Sequence, residues 1–594
     1  MESRPPVGAP TPAEVCVLDG AVGGRADALD TRVIRRGPDR RHLLLPALHA
    51  LQDGIGWISP EALAELCARL EVPRAEAFGV ATFYALLRTE EGPRTVVHAC
   101  DDIACRVHPE YRELSGGAGH SGSEPVGVHP SPCLGQCDRA PALFVQRSGT
   151  GAARWTATGS VDDALAAEGA AAVAPRVVAA GPAWLTGRIG VADPTSLEEY
   201  RAHGGYQALR AALAMGPEAV LREVADSGLR GRGGAAFPTG VKWRAVAGSA
   251  RRERYVVCNA DESEPGTFKD RVLLEGDPFA LVESMTIAGV TVGASRGYVY
   301  IRGEYPTAEE RIIAAVDEAR RRGFLGSDVA GSGLGFDIEV RRGAGAYICG
   351  EETALFNSLE GYRGEPRSKP PFPTEVGLFG RPTVVNNVET LHNVPVILSV
   401  GAGAFRAVGT AESPGTKLFS VAGDVARAGV YEVPFDTRLD ELLELAGAPA
   451  SPGATLLGGA AGVFVPPGAT DVPLTFEGVR AAGLTLGSGA VTVFGATSDL
   501  GDIVERITAF FRDESCGQCV PCRVGTVRQN ETIVRLRSGS RLPGDAGLIE
   551  DLATVMSDAS ICGLGHTAAS AVGSALRLGL LDGVAGNGAG GTRS

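Results

Sequence analysis

Residues 228–243 read GLRGRGGAAFPTGVKW, a glycine-rich stretch whose surroundings indicate the class of the fold. Gly231, Gly233 and Ala236 satisfy the G-x-G-x-x-G/A pattern of dinucleotide-binding loops. That pattern should follow a strand, whereas the preceding VLREVADSGL has the apolar spacing of a helix. The stretch therefore predicts a different glycine-rich loop, in which an aromatic cofactor lies against bare backbone. Phe237 can then stack on a ring and Lys242 can meet a phosphate, whereas a tight turn with an unrelated surface lysine is the simpler alternative.

A dense acidic group follows the strand-like run YVVC. The sequence NADESEPG places one amide and three carboxylates within six positions, those of Asn259, Asp261, Glu262 and Glu264. Strand ends in open α/β sheets face ligand crevices, where carboxylates hydrogen-bond ribose hydroxyls and oppose an extra ribose phosphate. The pattern predicts a nucleotide site, with a solvated acidic turn as the alternative.

Two further patches precede predicted helices. In GAGAYICGEETALFNSLEG the helix opens near Glu351 or Glu352, and the start of a helix is a ready phosphate site. In VVNNVET, side-chain donors come just before another helix, those of Asn386, Asn387 and Thr390. Both patches therefore predict further ligand contacts.

Eight of the twelve cysteines form two clusters with different spacings. Near the C-terminus, three thiols recur every third residue and a fourth is distant, as Cys516, Cys519, Cys522 and Cys562. This arrangement suits a [4Fe–4S] cluster, with zinc or free thiols as alternatives. The N-terminal set suits a [2Fe–2S] cluster, although it lacks the plant-type ferredoxin order, and comprises Cys100, Cys105, Cys133 and Cys137.

Composition limits the classes of function. A net charge of −14 argues against nucleic acid as a partner, and no apolar run approaches the length of a membrane span. The opening residues, MESRPPVGAPTPAEV, have no apolar signal-peptide region, so we expect a cytoplasmic protein whose cysteines bind metal rather than form disulfides.

At 594 residues the chain is too long for one core, and its patterns predict a multidomain fold of α/β and α+β type. We predict a flexible tail over 1–36, a helical segment with a small α/β unit over 37–150, a linker over 151–185, an α/β domain over 186–405, a β-rich module over 406–498, a helical segment over 499–582 and a tail over 583–594.

Taken together, these motifs resemble one family. From Arg188 to Cys562 the chain resembles the NADH-binding flavoprotein subunit of respiratory complex I, and equally the diaphorase subunits of NAD-reducing hydrogenases and NAD-dependent formate dehydrogenases. The ordered motifs are GLRGRGGAAFPTGVKW, NADESEPGTFKDR, YIRGEY, GAYICGEETAL, KPPFP, PTVVNNVET and ESCGQCVPCR. Residues 40–147 resemble the thioredoxin-like [2Fe–2S] subunit that partners this flavoprotein, through LPALHALQDGIGWIS, GVATFY and the two cysteine pairs. Complex I usually keeps the two as separate chains, whereas the diaphorases fuse them.

The resemblance implies the domains, cofactors and site residues. It implies a thioredoxin-like [2Fe–2S] domain, an FMN- and NAD(H)-binding α/β domain, a β-grasp (SLBB-like) module and a helical [4Fe–4S] bundle. The residues that match flavin contacts are Gly231, Gly233, Lys242, Asn259, Asp261, Glu262, Gly350, Glu351, Asn386, Asn387 and Thr390. Phe237, Lys369 and Phe372 match residues on the nucleotide side of the family's site. Glu264 and Glu352 match carboxylates that border the nicotinamide nucleotide, and Tyr347 matches a further cofactor contact.

The implied reaction is hydride transfer between nicotinamide C4 and flavin N5, followed by one-electron transfer through the clusters. No side chain need act as an acid or base. The implied partners are the iron–sulfur and catalytic subunits of a formate dehydrogenase, a hydrogenase or complex I. Two alternatives remain at this stage, the NADH-oxidising subunit of complex I and a non-catalytic scaffold whose cysteines bind zinc.

Overall fold

The computed structural model describes residues 8–23, 38–108, 111, 125–170 and 173–581. The predicted tail 583–594 lies outside the described residues, as do 1–7 and 24–36 of the other predicted tail.

A helix, Pro12–Val22, lies inside the segment that we predicted to be a flexible tail. Thr11 caps it through a reciprocal pair of hydrogen bonds with Glu14, and Leu18 is buried against the helix Leu44–Ile55. The tail prediction was therefore wrong here. A few buried residues in an 11-residue helix give too weak a period to recognise, and tertiary packing stabilises the helix.

Three helices follow the N-terminal one and share its apolar core, Leu44–Ile55, Pro60–Leu70 and Arg74–Ala81. Ser59 caps the second of them by accepting a 3.0 Å hydrogen bond from the amide of Ala62. Proline occupies its first position, where a missing amide hydrogen costs no helical hydrogen bond.

The small α/β unit contains a four-stranded sheet in the order β2-β1-β3-β4. Strand β1 is parallel to β2, and the other neighbours are antiparallel. Its strands are β1 (Thr95–Cys100), β2 (Val126–Ser131), β3 (Ala142–Arg147) and β4 (Ala153–Thr158), with short helices Ile103–Arg106 and Val161–Ala166.

The predicted linker 151–185 is largely structured. Strand β4 and the helix Val161–Ala166 complete the α/β unit, and strand β5 (Val177–Ala179) joins the sheet of the later β-rich module. Alanine and glycine have low strand propensity, so the composition of this segment does not predict its strands. Pairing with neighbouring strands stabilises them instead.

A parallel sheet in the order β8-β7-β6-β9 forms the centre of the largest domain. Its strands are β6 (Tyr255–Ala260), β7 (Arg296–Ile301), β8 (Asp337–Arg342) and β9 (Thr383–Asn387). The helices of the domain are Leu197–Ala202, Gln207–Met215, Pro217–Asp226, Thr239–Ala247, Lys269–Gly276, Pro278–Val292, Pro306–Arg321, Glu352–Leu359, Val388–Val400 and Ala402–Arg406. Asn259 and Asn387 are register partners, so the two polar motifs that follow β6 and β9 meet at one edge.

The β-rich module is a mixed sheet in the order β13-β12-β14-β10-β11-β5. Its own strands are β10 (Thr416–Gly423), β11 (Gly429–Pro434), β12 (Ala454–Leu457), β13 (Val463–Phe464) and β14 (Ala490–Phe494), and its helices are Leu439–Ala446 and Phe476–Ala481.

The C-terminal segment is helical, with helices Leu500–Glu514, Val520–Arg537, Asp545–Ala559, Gly563–Thr567 and Ser570–Arg577. Cys516 lies between the first two of these helices, Cys519 is the N-cap of the helix Val520–Arg537 and Cys522 lies in its first turn. Within the described ranges, no helix is both long enough and apolar enough to cross a membrane.

Candidate functional site

A cavity of about 420 Å³ lies at the carboxyl ends of β6 and β9. The parallel sheet, the glycine loop, the β-rich module and the C-terminal helices all contribute to its walls. Nine of the sequence-predicted residues line it, namely Gly233, Asn259, Asp261, Glu262, Glu264, Tyr347, Gly350, Glu351 and Asn387.

The glycine loop follows the helix Pro217–Asp226 and leads into the helix Thr239–Ala247, so it is not preceded by a strand. Gly233 lies against the N-terminus of another helix, and a Cβ atom there would stand 3.0 Å from the Cβ atom of Asn387. A Cβ atom at Gly350, which also lines the cavity, would stand 3.2 Å from the carbonyl oxygen of Asp261. Both glycines therefore present bare backbone to the cavity.

Two predicted contacts hold the glycine loop rather than line the cavity. Oγ1 of Thr390 accepts a 2.8 Å hydrogen bond from the amide of Arg232, within the loop. Oδ1 of Asn386 accepts one of 2.8 Å from Nε1 of Trp243, in the helix after the loop. Gly231 also lies outside the cavity lining.

Glu264 is held by residues from two other parts of the chain. Its Oε2 atom accepts a 2.6 Å hydrogen bond from the hydroxyl of Tyr347, and its Oε1 atom accepts one of 2.7 Å from the amide of Ala461. Burial raises the pKa of Glu264 to about 7. The Tyr347 ring packs edge-on against Phe510, with 5.0 Å between ring centroids.

Two more carboxyl groups near this cavity have raised pKa values. Burial raises the pKa of Glu262 to about 7, although its oxygens accept hydrogen bonds from the amides of Asp270 at 2.9 Å and Arg271 at 3.0 Å. Burial also raises the pKa of Glu514 to about 7, and this carboxylate accepts a hydrogen bond from the amide of Tyr347. The site therefore holds several carboxyl groups that are partly neutral near pH 7.

Two buried polar atoms of the cavity wall, Oδ2 of Asp261 and Oγ of Ser488, have no hydrogen-bond partner among the described residues. Burial also raises the pKa of Asp261 well above its ordinary value. Buried polar atoms are normally paired. A ligand with hydroxyl groups and ring nitrogens, such as FMN, would satisfy both.

A buried ion cluster forms part of the cavity wall and extends behind it. Nζ of Lys269 lies 2.8 Å from Asp270 and 3.1 Å from Glu389, whose carboxylate also accepts a 2.7 Å hydrogen bond from Lys417 of the β-rich module. Nδ2 of Asn387 donates to Asp270 at 2.5 Å. Burial lowers the pKa of Lys417 to about 8. This cluster joins the β-rich module to the floor of the cavity.

The predicted nucleotide-side residues lie outside the cavity lining. Lys369 donates hydrogen bonds to Glu351 at 2.9 Å and to Glu352 at 2.7 Å, and Lys242 lies 3.6 Å from Glu352. Phe237 and Phe372 are about half exposed. Glu351 also caps the helix Glu352–Leu359 by accepting from the amide of Thr353.

Sequence reasoning missed much of the cavity lining. Four of the missed residues lie within the quoted motif NADESEPGTFKDR, where motif membership was the available signal, namely Ser263, Thr267, Lys269 and Asp270. Others come from distant segments that carry no local signal, namely Gly458, Ala461, Thr485, Gly487, Ser488, Gly563, Leu564 and Thr567.

The structure brings the N-terminal cysteines together in the interior. Cys100 ends β1, Cys105 lies on the helix Ile103–Arg106, and all four thiols of this set are buried. The sulfur atoms of Cys133 and Cys137 are 3.4 Å apart.

Contacts among these thiols shift their pKa values in opposite directions. Contact with Cys105 and Cys133 raises the pKa of Cys100, and contact with Cys133 raises that of Cys137. The pKa of Cys133 is held well below its ordinary value by its contacts with Cys100 and Cys137. Four converging buried thiols are a donor set that fits an iron–sulfur cluster.

The four C-terminal cysteines line one small cavity together with Ile348 and Leu564. Burial raises the pKa of Cys522 to about 11 and that of Cys562 to about 12, so both thiols are protonated at neutral pH unless a metal binds them. Ile348 and Leu564 also line the 420 Å³ cavity. The two sites therefore share a wall.

Family models match four parts of the chain. Residues 31–161 match the thioredoxin-like [2Fe-2S] ferredoxin, 224–396 the Nuo51 FMN-binding domain, 418–462 the SLBB domain and 502–578 the NADH-ubiquinone oxidoreductase-F iron-sulfur binding region. These matches confirm the predicted fold class.

Similar proteins include subunits of two kinds of complex. The NAD-reducing hydrogenase HoxS subunit alpha of Cupriavidus necator is 35% identical over 562 residues, which cover 91% of each chain. An NADH-quinone oxidoreductase subunit of Rhizobium meliloti is 44% identical over 398 residues, 66% of this chain and 94% of that protein. A crystal structure of an NAD+-reducing [NiFe]-hydrogenase in the H2-reduced state matches with a TM-score of 0.79 and 33% identity, over 91% of this chain and 93% of the other.

Proposed function

Because the chain belongs to the family of NADH-dependent diaphorase subunits that contain FMN and iron–sulfur clusters, we propose that it is the diaphorase subunit of an NAD-reducing hydrogenase. As a member of this family it is an NAD(H)-dependent oxidoreductase with FMN, [2Fe–2S] and [4Fe–4S] cofactors. Membership of this family argues against the alternative of a non-catalytic scaffold whose cysteines bind zinc.

One observation favours a diaphorase over the respiratory alternative, the presence of the thioredoxin-like unit and the FMN-binding domain in one chain. The hydrogenase alpha subunit aligns with 91% of this chain, whereas the NADH-quinone oxidoreductase relative aligns with 66% of it. The respiratory alternative has its own support, since the oxidoreductase relative is 44% identical over the shared part and the hydrogenase subunit 35%. We give more weight to the fused architecture.

We propose that FMN occupies the 420 Å³ cavity. The bare backbone at Gly233 and Gly350 leaves room for a flat ring, and the unpaired atoms of Asp261 and Ser488 supply hydrogen-bonding groups. Bound FMN would exchange a hydride with NAD(H), and the clusters would carry single electrons onward. The half-exposed rings of Phe237 and Phe372 suit the stacking of a nucleotide base.

We further propose that each cysteine set holds one cluster. Cys516, Cys519, Cys522 and Cys562 would bind [4Fe–4S], and Cys100, Cys105, Cys133 and Cys137 would bind [2Fe–2S]. The first set shares Ile348 and Leu564 with the cavity. A second cavity of about 220 Å³, lined by Cys133, shares Ser263 and Tyr347 with it. Both clusters would therefore lie next to the flavin, as one-electron transfer requires.

We propose a cytoplasmic location. All twelve cysteines are free, which suits the reducing compartment in which cysteine-rich chains bind metal. The partners would be the iron–sulfur and catalytic subunits that this chain does not contain.

The test is to purify the native complex through an affinity tag on this chain. We expect nickel in the complex and H2-dependent reduction of NAD+. Molybdenum or tungsten with formate-dependent reduction would instead indicate a formate dehydrogenase, and quinone reduction by NADH without these metals would indicate the respiratory alternative. A matched complex with Cys519→Ala should lose H2-dependent NAD+ reduction while NADH still reduces ferricyanide at the flavin.

A further inference from the structure

Two buried arginines of the FMN-binding domain contact the segment between Cys133 and Cys137. Nη2 of Arg302 donates a 2.6 Å hydrogen bond to the carbonyl oxygen of Cys133. Nε of Arg271 donates one of 2.9 Å to the carbonyl oxygen of Gly135. Arg302 is 2% exposed and Arg271 is 0% exposed. The cysteine segment is thus held by two cations from another domain.

Each arginine also has a carboxylate partner. Nη2 of Arg302 lies 2.7 Å from Oε1 of Glu304, and the other oxygen of Glu304 has no hydrogen-bond partner among the described residues. Nη2 of Arg271 lies 2.6 Å from Asp138, just after the segment, and its Nη1 lies 3.2 Å from Glu275.

Purely structural support of the two carbonyl groups would not require charge. Burying a guanidinium group is costly, and a neutral donor can satisfy a carbonyl oxygen. A buried charge beside a redox centre has a second effect, because reduction adds one negative charge to the centre in a medium of low dielectric constant. Net charge and hydrogen bonding are among the factors that set the potential of an iron–sulfur cluster.

We infer that Arg302 and Arg271 are positioning residues that hold the Cys133–Cys137 segment and raise the reduction potential of the [2Fe–2S] cluster. The inference rests on the proposed assignment of Cys133 and Cys137 as ligands of that cluster. Reduction transfers one electron to the cluster and breaks no bond. Glu304 opposes the effect of Arg302, so the two side chains should shift the potential in opposite directions.

The test is a redox titration of the purified full chain, with dithionite as the reductant and the [2Fe–2S] signal followed by electron paramagnetic resonance. Arg302→Gln should disfavour reduction about tenfold, which is about 59 mV for one electron. Arg302→Lys keeps the charge and should recover most of this shift. Glu304→Gln should raise the potential. Arg188→Gln is the matched control, because this arginine pairs with Asp277 at 2.7 Å, and should leave the potential unchanged.

If the Arg302→Gln variant does not assemble the cluster, the inference is tested with Glu304→Gln instead. In that variant Arg302 still donates its hydrogen bond to the carbonyl oxygen of Cys133. A potential that is unchanged or lower in Glu304→Gln would overturn the inference. Retention of the [2Fe–2S] signal in Cys133→Ala would instead overturn the ligand assignment. Neither outcome depends on whether the partner is a hydrogenase, so failure of this inference and failure of the proposed function are distinguishable.

Discussion

The hydroxyl group of Tyr347 donates a 2.6 Å hydrogen bond to Oε2 of Glu264. The amide of Ala461 donates to the other carboxylate oxygen at 2.7 Å, so Glu264 joins the α/β domain to the β-rich module at the wall of the cavity. These hydrogen bonds favour the ionised form, but burial outweighs them and raises the pKa of Glu264 to about 7.

The stability of Glu264→Gln relative to wild type should be greater at pH 8 than at pH 5. The folded pKa of about 7 lies above the ordinary value of 4.5, so the unfolded chain releases this proton first as the pH rises. The free energy of unfolding therefore falls between about pH 4.5 and pH 7, by up to about 3 kcal/mol from this group, and stays lower above pH 7. Glutamine has no proton to release, so the variant avoids this loss.

The measurement is the apparent Tm of wild type and Glu264→Gln at pH 5, 6, 7 and 8. The Tm of the variant minus that of wild type should increase over this range. Glu444→Gln, at an exposed helical position, is the control and should give a constant difference. A constant difference for Glu264→Gln as well would contradict the raised pKa.

Gly233→Val should abolish FMN retention, whereas Gly231→Ala should preserve it. A Cβ atom at Gly233 would already stand 3.0 Å from the Cβ atom of Asn387, and a branched side chain would fill the cavity. At Gly231 the nearest atom to an added Cβ is 3.6 Å away, which is ordinary contact. The measurement is the FMN released by acid per chain. Equal FMN content in the two variants would place the flavin elsewhere.

Local motifs predicted the parts of the site that lie close together in the sequence. The pairing of Asn259 with Asn387 follows from parallel strands, whose carboxyl ends meet at one edge. A motif cannot show which partner each side chain has: Asn386 and Thr390, which the resemblance implies as cofactor contacts, also hydrogen-bond the helix after the glycine loop and the loop itself. Ala461 was missed because only domain packing brings it to Glu264.

Cys519→Ala should remove the [4Fe–4S] signal and leave both FMN and the [2Fe–2S] signal, because Cys519 neither lines the 420 Å³ cavity nor belongs to the N-terminal cysteine set. Cys133→Ala should remove only the [2Fe–2S] signal. The measurements are iron per chain, electron paramagnetic resonance and flavin content. Cys16→Ala, at an exposed cysteine, should lose nothing. Iron content equal to that of wild type in both cluster variants would show that the ligand assignment is wrong.

Glu352→Gln should raise the use of NADPH relative to NADH by about 10- to 100-fold, since a lost carboxylate removes repulsion of the 2′-phosphate. The structure adds a second reason. Glu352 accepts a 2.7 Å hydrogen bond from Lys369 and lies 3.6 Å from Lys242, so its loss would also leave both cations with one anionic partner fewer and better able to attract a phosphate. The measurement is kcat/KM for both nucleotides with ferricyanide as acceptor.

The double variant Glu352→Gln/Lys369→Met separates the two reasons. If freed lysine attracts the 2′-phosphate, the double variant should lose much of the gain in NADPH use that the single variant shows. If the effect is only the loss of repulsion, the gain should persist in the double variant. Glu444→Gln serves as the control, because this glutamate lies at an exposed helical position of the β-rich module. A NADH/NADPH ratio that is unchanged in Glu352→Gln would show that Glu352, held by its lysine partners, does not face the ribose.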